Sequence, residues 1–292
     1  MIDSVRKLAF LFALLAFFGS ACAAHAEPPV WVIRDKDSTI ILFGSVHILP
    51  QGQDWRPAVL KSALARADDI WFETTFDSKS RLAGAQTAAR RGVLPAGESL
   101  SAMLDTVSLD RLKRFAATHG QALAYYDRMT PWMADLTLSQ VDASSHGGEA
   151  ALGVEEVLDH DTPARVHRRS FETAEQQIST LADASRADQL ASLVETLHTI
   201  EDEPESFGDI VGYWMRGDTA GLVTEALDPL KKATPGMYDR LIKQRNTAWI
   251  PKIMDRLAGS GETVIVVGVG HLVGPDSVPA MLRARGITVE GP

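Results

Sequence analysis

One short pattern occurs near both ends of the chain. Residues 39–49 read TIILFGSVHIL, and residues 263–273 read TVIVVGVGHLV. Each stretch is a threonine, four apolar residues and Gly-x-x-His, followed by two more apolar residues. Apolar runs rich in Val and Ile that stop at glycine are typical of buried strands. Because open α/β sheets bind ligands beyond the carboxyl ends of their strands, the repeat predicts that His47 and His271 lie at such an edge.

A carboxylate follows a third predicted strand. Residues 69–72 read DIWF, and Glu73 comes directly after them. Two imidazoles and a carboxylate can bind Zn, Mn, Fe or Co and leave positions open for water and substrate. The sequence therefore predicts a divalent metal site made by His47, Glu73 and His271. Glu172, which follows another predicted strand, could be a general base or a further ligand.

The remaining elements predict an α/β fold. Strands are expected at residues 31–33, 39–43, 69–72, within 162–172, at 263–267 and at 287–290. Helices are expected at 57–67, 80–91, 108–118, through most of 173–257 and at 275–285. Since the first and last strands share one motif, the two ends of the chain are expected to meet in one sheet. We predict a single domain with a mixed central sheet and a large helical insertion or cap.

The first 26 residues have the pattern of a secretory signal peptide. Arg6 and Lys7 form a basic start, residues 8–18 are apolar, and residues 24–26 read AHA, a small-x-small cleavage site. Cleavage after Ala26 would leave a domain of residues 27–292. We expect an exported protein, periplasmic if the source is Gram-negative. Lipid anchoring through Cys22 is the less favoured alternative, because residues 19–22 (GSAC) make a poor lipobox.

Composition limits the classes of ligand and partner that are expected. Cys22 is the single cysteine and lies in the predicted signal peptide, so the mature chain is expected to have no disulfide and no thiolate ligand. The formal charge is −9, and loss of Asp3, Arg6 and Lys7 would change it to −10. An acidic chain without basic clusters argues against nucleic acid and anionic membranes as partners. The mature chain also has no predicted membrane span.

The motifs resemble the TraB/GumN family, to which the animal Tiki proteins also belong. The resemblance extends over most of the mature chain, and its most specific part is the pair of Gly-x-x-His motifs with Glu73 between them. Further matching blocks are 42–50, 70–73, 153–155, 171–177, Tyr213 with 217–218, 245–246 with Trp249, and 267–274. Within these blocks Phe171 stands where the family more often has Leu, and Gln176 where an acidic residue is common.

The resemblance implies a metal-dependent hydrolase fold related to Tiki, erythromycin-esterase-like and ChaN-like proteins. It implies His47, Glu73 and His271 as the core site, with Glu172, Arg245 and Asn246 as supporting residues. The animal members are described as metalloproteases that use Mn or Co. Arg245 could stabilise an oxyanion or a substrate carboxylate. Asn246 could orient a ligand or donate to the same oxyanion.

Two functions follow from this reading. The first is hydrolysis of a peptide or another amide or ester bond by a metal-activated water, with Glu73 or Glu172 handling the proton. The alternative is a non-catalytic binding protein for a peptide signal, a metal or haem, since imidazoles can ligate haem iron.

Overall fold

The computed structural model describes residues 27–75 and 77–292. The strands are β1 (Val30–Arg34), β2 (Ser38–Ser45), β3 (Leu49–Pro50), β4 (Asp69–Phe72), β5 (Gly148–Glu149), β6 (His167–Ser170), β7 (Gly261–Gly268) and β8 (Val289–Glu290). Six of them form one sheet in the order β6-β4-β7-β2-β1-β8, and β3 pairs with β5 in a separate two-stranded sheet. The predicted signal peptide, residues 1–26, lies outside the described residues.

Helices surround the sheet and fill the middle of the chain. They are α1 (Ala58–Arg66), α2 (Ser78–Arg91), α3 (Thr106–Thr118), α4 (Leu123–Asp127), α5 (Pro131–Ser145), α6 (Val154–Asp161), α7 (Ala174–Ala182), α8 (Arg186–Asp202), α9 (Ser206–Met215), α10 (Thr219–Leu222), α11 (Asp228–Ala233), α12 (Pro235–Tyr238), α13 (Arg245–Leu257) and α14 (Val278–Arg283). Among the described residues, no helix is both long enough and apolar enough to cross a membrane.

The two strands that carry the repeated motif lie side by side. β2 and β7 are parallel, and their register places Gly44 opposite Val267 and Ser45 opposite Gly268. β4 runs parallel to β7 on its other side, and β6 runs parallel to β4. The carboxyl ends of β2, β7 and β4 therefore meet at one edge of the sheet, as the repeat predicted.

Apolar side chains explain why these strands form the centre of the molecule. Residues 40–43 of β2 and 264–267 of β7 are all at most 2% exposed, so both faces of these strands are covered. Near-continuous apolar runs are what a parallel strand buried on both faces requires. β1 pairs antiparallel with both β2 and β8, which makes the sheet mixed and brings the two ends of the chain together. The predicted α/β fold is thus confirmed.

The helical part has its own apolar cluster. The buried side chains of this cluster come from α3, α4, α5, α8 and the segment before α3, and they are Leu94, Leu100, Leu112, Phe115, Ala116, Tyr126, Ala134, Leu138, Leu193 and Leu197. The larger cluster packs on the sheet and includes Trp214 and Trp249. The helical segment is therefore packed around a core of its own while remaining part of the single domain.

One predicted strand is shorter than expected. Within the segment 162–172 only β6 (His167–Ser170) is extended, and it pairs with Asp69–Phe72 of β4. β6 pairs with β4 at the end of the strand order, and three of its four residues are exposed, so it has no apolar pattern. Buried Val166, which suggested a strand, precedes it. The predicted helix at 275–285 and strand at 287–290 are also shorter, being α14 and β8.

Candidate functional site

Three strand ends bring the predicted ligands together. His47 lies two residues beyond β2, Glu73 directly follows β4, and His271 ends the 3-10 turn Val269–His271 after β7. A Cβ placed on Gly268 would lie 3.2 Å from Glu73 Oε1, 3.6 Å from His47 Nε2 and 3.7 Å from His271 Cδ2. The three groups thus surround a small space that glycine leaves open.

Glu73 is a buried carboxylate with three donors. Its Oε1 accepts from the Gly268 amide at 2.7 Å, and its Oε2 accepts from Arg245 Nη2 at 2.5 Å and Gln177 Nε2 at 3.1 Å. Burial opposes ionisation, but the positive charge of Arg245 beside the carboxylate outweighs it, and the pKa of Glu73 lies well below its usual range. Glu73 is therefore the anion of the site.

Arg245 joins the two candidate carboxylates. Its Nε donates to both oxygens of Glu172, at 2.9 and 3.1 Å, while Nη2 donates to Glu73. Its guanidinium lies 4.9 Å from the centre of the Trp249 ring, and Trp249 Nε1 donates to Glu172 at 2.9 Å. Glu172 is thus held by Arg245 and Trp249, whereas Glu73 is the carboxylate that faces the imidazoles.

His271 is a neutral imidazole with a defined tautomer. Asn246 Nδ2 donates to the carbonyl oxygens of His271 and Asp276, at 3.3 and 2.8 Å, so its Oδ1 must be the atom 2.7 Å from His271 Nδ1. Nδ1 therefore carries the proton, and Nε2 accepts from Arg245 Nη1 at 3.0 Å. Burial lowers the pKa of His271 to about 3. Of the two roles considered for Asn246, this geometry supports orienting the imidazole.

His47 differs from His271 in exposure and in partner. Its side chain is 65% exposed, and its Nδ1 lies 2.7 Å from Oε1 of the buried Glu155. The same oxygen accepts from Ser45 Oγ at 2.5 Å. The negative charge of Glu155 raises the pKa of His47, although exposure to water screens this attraction. His47 is therefore the imidazole that substrate and solvent can reach.

An open cavity lies in front of these groups. Its volume is about 470 Å³, within the usual range for small-molecule sites. It is lined by His47, Glu73, Thr74, Arg81, Ala150, Ala151, Glu155, Glu156 and Gln177. The lining includes the imidazole of His47, the ionised carboxylate of Glu73 and the amide of Gln177. Such a set can bind a polar substrate and move a proton.

The residues fit a divalent cation in type and in charge. Glu73, Glu155 and Glu172 against Arg245 leave two net negative charges when both imidazoles are neutral. In residues 27–75 and 77–292, however, no three His, Cys, Asp or Glu side chains are already arranged as ligands of one ion. The reason lies at His271, because its Nε2 lone pair accepts from Arg245. Ligation by His271 would require that hydrogen bond to break.

Sequence reasoning assigned no role to several residues that contact the predicted site. Ser45 and Glu155 hold His47, Gln177 donates to Glu73, and Trp249 stacks on Phe171 and packs against His271. Glu155 and Gln177 lie within blocks that match the family, but their side chains follow no repeated motif. The one sequence signal that pointed to Glu155 was Gly153, two residues before it, because glycine allows a close backbone approach.

Comparison with known proteins identifies the family. The profile of the TraB/PrgY/gumN family matches residues 29–291. An uncharacterized protein of Treponema pallidum (strain Nichols) is 23% identical over 278 residues, which cover 90% of this chain and 82% of that protein. The uncharacterized protein YbaP of Escherichia coli (strain K12) is 25% identical over 244 residues, 83% of this chain and 87% of YbaP. No solved structure matches significantly. The chain belongs to the TraB/PrgY/gumN family.

Proposed function

We propose that this protein is a hydrolase of the cell envelope that cleaves a peptide or another amide or ester bond. The observation that carries the proposal is the convergence of His47, Glu73 and His271 around Gly268, at the mouth of a cavity. Three adjacent strands deliver these groups to the sheet edge where α/β enzymes bind ligands. If the predicted signal peptide directs export, the reaction takes place outside the cytoplasm.

The metal part of the proposal uses the donors already described. His47 Nε2, Glu73 Oε1 and His271 Nε2 would hold a divalent ion such as Mn, Co, Zn or Fe. When bound, such an ion supplies a water of lowered pKa and polarises the scissile carbonyl. The two net negative charges of the surrounding cluster favour a divalent cation, because they match its charge.

The side chains facing the cavity can perform the remaining steps. Glu155 lies 2.7 Å from His47 Nδ1 and would keep the ring proton there, which leaves Nε2 free to hold the ion. Gln177 uses one amide hydrogen on Glu73 and keeps a second for a substrate oxygen. Arg245 is only 10% exposed and donates to several groups of the protein. Its charge therefore acts on the site mainly by holding Glu73 ionised and in place.

Metal content and turnover test the proposal together. The protein, purified without a histidine tag, is reconstituted with Mn, Co, Zn or Fe and compared with His47→Ala and with the control His160→Ala. His160 is 88% exposed and pairs with Asp161, far along the chain from the motifs, so it controls for the loss of a surface imidazole. We expect near-stoichiometric metal in the parent and the control, and little in His47→Ala.

A screen of peptides, amides and esters then asks for product. Turnover by the loaded parent that is lost in His47→Ala supports hydrolysis. Equal turnover in the two proteins would remove His47 from the mechanism. Saturable binding of a peptide, metal or haem with no product after long incubation would favour the alternative function, a binding protein.

A further inference from the structure

We propose that Glu155, supported by Ser45, is a positioning residue that holds His47 as the Nδ1-protonated tautomer with Nε2 turned towards Gly268. The proposal deepens the proposed function, because it depends on that function for the importance of His47. Its test reads the resting protein and does not require turnover.

The hydrogen-bond geometry fixes the tautomer. Glu155 Oε1 lies 2.7 Å from His47 Nδ1, and an ionised carboxylate can only accept hydrogen bonds. A neutral His47 ring must therefore carry its proton on Nδ1. Its Nε2 then has a free lone pair, and this atom lies 3.6 Å from where a Cβ on Gly268 would be. The lone pair faces the space shared with Glu73.

The two partners, Glu155 and His47, differ in their exposure to solvent. The side chain of Glu155 is 7% exposed, whereas that of His47 is 65% exposed. The buried carboxylate thus holds a solvent-accessible ring in a fixed position. Ser45, itself 2% exposed, donates to the same oxygen at 2.5 Å and limits rotation of the carboxylate. An exposed imidazole without such a partner would be free to sample other rotamers and tautomers.

The backbone holds this contact in place. A Cβ on Gly153 would lie 2.1 Å from the carbonyl oxygen of His47, so only glycine allows α6 to begin so close to the segment after β2. The Val154 amide donates to the Val46 carbonyl at 3.1 Å. Glu155 is in the first turn of α6, where the helix dipole favours a carboxylate. The sequence Gly-Val-Glu therefore fixes a carboxylate against His47.

The next residue provides a matched control. Glu156 also lines the cavity, but its carboxylate pairs with Arg81 at 2.5 Å. Removing it alters cavity charge without touching His47. A general electrostatic effect on His47 would be seen when either glutamate is replaced, whereas loss of positioning would be seen only when Glu155 is replaced.

The experiment measures the ring nitrogens of His47 by ¹⁵N NMR in the full-length mature protein. Spectra are recorded at a pH above the midpoint of the ring's own titration, and the signal is assigned by its loss in His47→Gln. We expect a protonated Nδ1 and an unprotonated Nε2 in the parent. Glu155→Ala should shift both signals to the averaged values of an exposed ring. Glu155→Asp, which keeps a carboxylate, should restore part of the parental pattern, and Glu156→Ala should leave it unchanged.

The outcomes are decisive even where a variant does not fold. A parent spectrum with the proton on Nε2, or with averaged nitrogens, overturns the proposal without any variant. Unchanged His47 signals in folded Glu155→Ala overturn it too, as does an equal change in Glu156→Ala. The parental tautomer can be present in a protein that hydrolyses nothing, so this result and the failure of the proposed function are distinguishable.

Discussion

Strand β4 has a buried carboxylate near each end, and helix α13 supplies an arginine to each of them. At the amino end, Arg256 Nε lies 3.1 Å from Asp69 Oδ2, and at the carboxyl end, Arg245 Nη2 lies 2.5 Å from Glu73 Oε2. The four side chains are between 8% and 12% exposed. The same two elements thus form two ion pairs of matched burial.

The remaining partners make the two pairs different. Asp69 Oδ1 accepts from the Thr263 hydroxyl at 3.1 Å and from the Trp71 indole, so protein donors fill its oxygens. Glu73 lines an open cavity, and its Oε1 lies 3.6 Å from Nε2 of His271. An ion pair closed by hydroxyl and indole donors serves the fold. An ion pair that faces imidazoles and a cavity can also serve a ligand.

Strand direction explains why the Glu73–Arg245 pair faces a cavity and the Asp69–Arg256 pair does not. In a parallel sheet the carboxyl ends of neighbouring strands open into a shared crevice. The ends of β2 and β7 deliver histidines there, beside Glu73. At the opposite end of the same strands, Thr263 lies opposite Asp69. The buried charge is therefore similar at both ends, and its neighbours determine its use.

The largest expected effect is on stability when either arginine is replaced. Breaking a buried ion pair by removing one partner costs about 3–5 kcal/mol, because the other charge stays buried. Arg256→Met leaves one carboxylate, Asp69, without its cation, whereas Arg245→Met leaves both Glu73 and Glu172. We expect both variants to lose stability and Arg245→Met to lose more. Urea unfolding of the two variants and the parent measures the free energies.

Either of two results would contradict this prediction. An Arg256→Met variant that is less stable than Arg245→Met would mean that the second carboxylate, Glu172, costs nothing when unpaired. An Arg245→Met variant as stable as the parent would mean that Glu73 is not held as an anion by that guanidinium. A variant that does not fold at all is the extreme of the expected direction.

The second prediction separates the pairs by ligand binding. Glu73→Gln removes the negative charge beside the imidazoles, whereas Asp69→Asn removes a matched charge at the other end of β4. We expect metal affinity to fall by at least about tenfold in Glu73→Gln, since even outer partners of a ligand contribute this much. Asp69→Asn should bind as the parent does. Isothermal titration with Mn²⁺ or Zn²⁺ measures both.

Stability serves as the internal control for that comparison. Asp69→Asn leaves Arg256 without an anionic partner, whereas Arg245 keeps Glu172 in Glu73→Gln, so Asp69→Asn is expected to destabilise the fold more. Equal loss of metal binding in the two variants would point to a loss of folding. Loss in Asp69→Asn alone would move the candidate site to the amino end of β4.

Much of this arrangement could be predicted from the sequence. The Val- and Ile-rich runs before Gly44 and Gly268 identified β2 and β7, and their shared motif predicted one sheet. Such runs are informative because a strand buried on both faces needs apolar residues throughout. β6, with the sequence HRRS, carries no such signal. A strand with exposed side chains is held mainly by backbone hydrogen bonds, which every sequence can form.

The meeting of the three predicted side chains could be inferred from the sequence, whereas their other contacts could not. His47, Glu73 and His271 each follow a recognisable strand, so their meeting could be inferred from the sheet alone. Glu155 reaches His47 only because α6 begins against the segment after β2. The Ser45–Glu155 hydrogen bond, which forms at the same place, joins residues that are 110 apart along the chain. Long-range packing of this kind leaves no periodic pattern in one sequence. Asn246 was named, but its orientation required the carbonyl oxygens around it.

The smallest expected effect concerns Asp135, a partly buried carboxylate of α5. Asp135 is held by two hydroxyls, those of Ser192 and Thr196, each at 2.6 Å. Desolvation raises the pKa of Asp135, and the two hydrogen bonds only partly oppose the shift. The pKa of Glu73 is lowered although Glu73 is more deeply buried, because basic groups adjoin it. The comparison isolates the contribution of a neighbouring cation to holding a carboxylate ionised.

Asp135→Asn tests this contrast through the pH dependence of stability. A pKa raised in the folded state makes a contribution that is fully present below the unfolded pKa of about 3.9 and is lost as pH rises through the folded pKa. The parent should therefore lose stability relative to Asp135→Asn as pH rises from about 4. Urea unfolding of both proteins at several pH values measures the relative change. A parent that gains stability relative to the variant over this range would mean that hydroxyl donors alone suffice to keep Asp135 ionised, and the role assigned to Arg245 at Glu73 would lose its support.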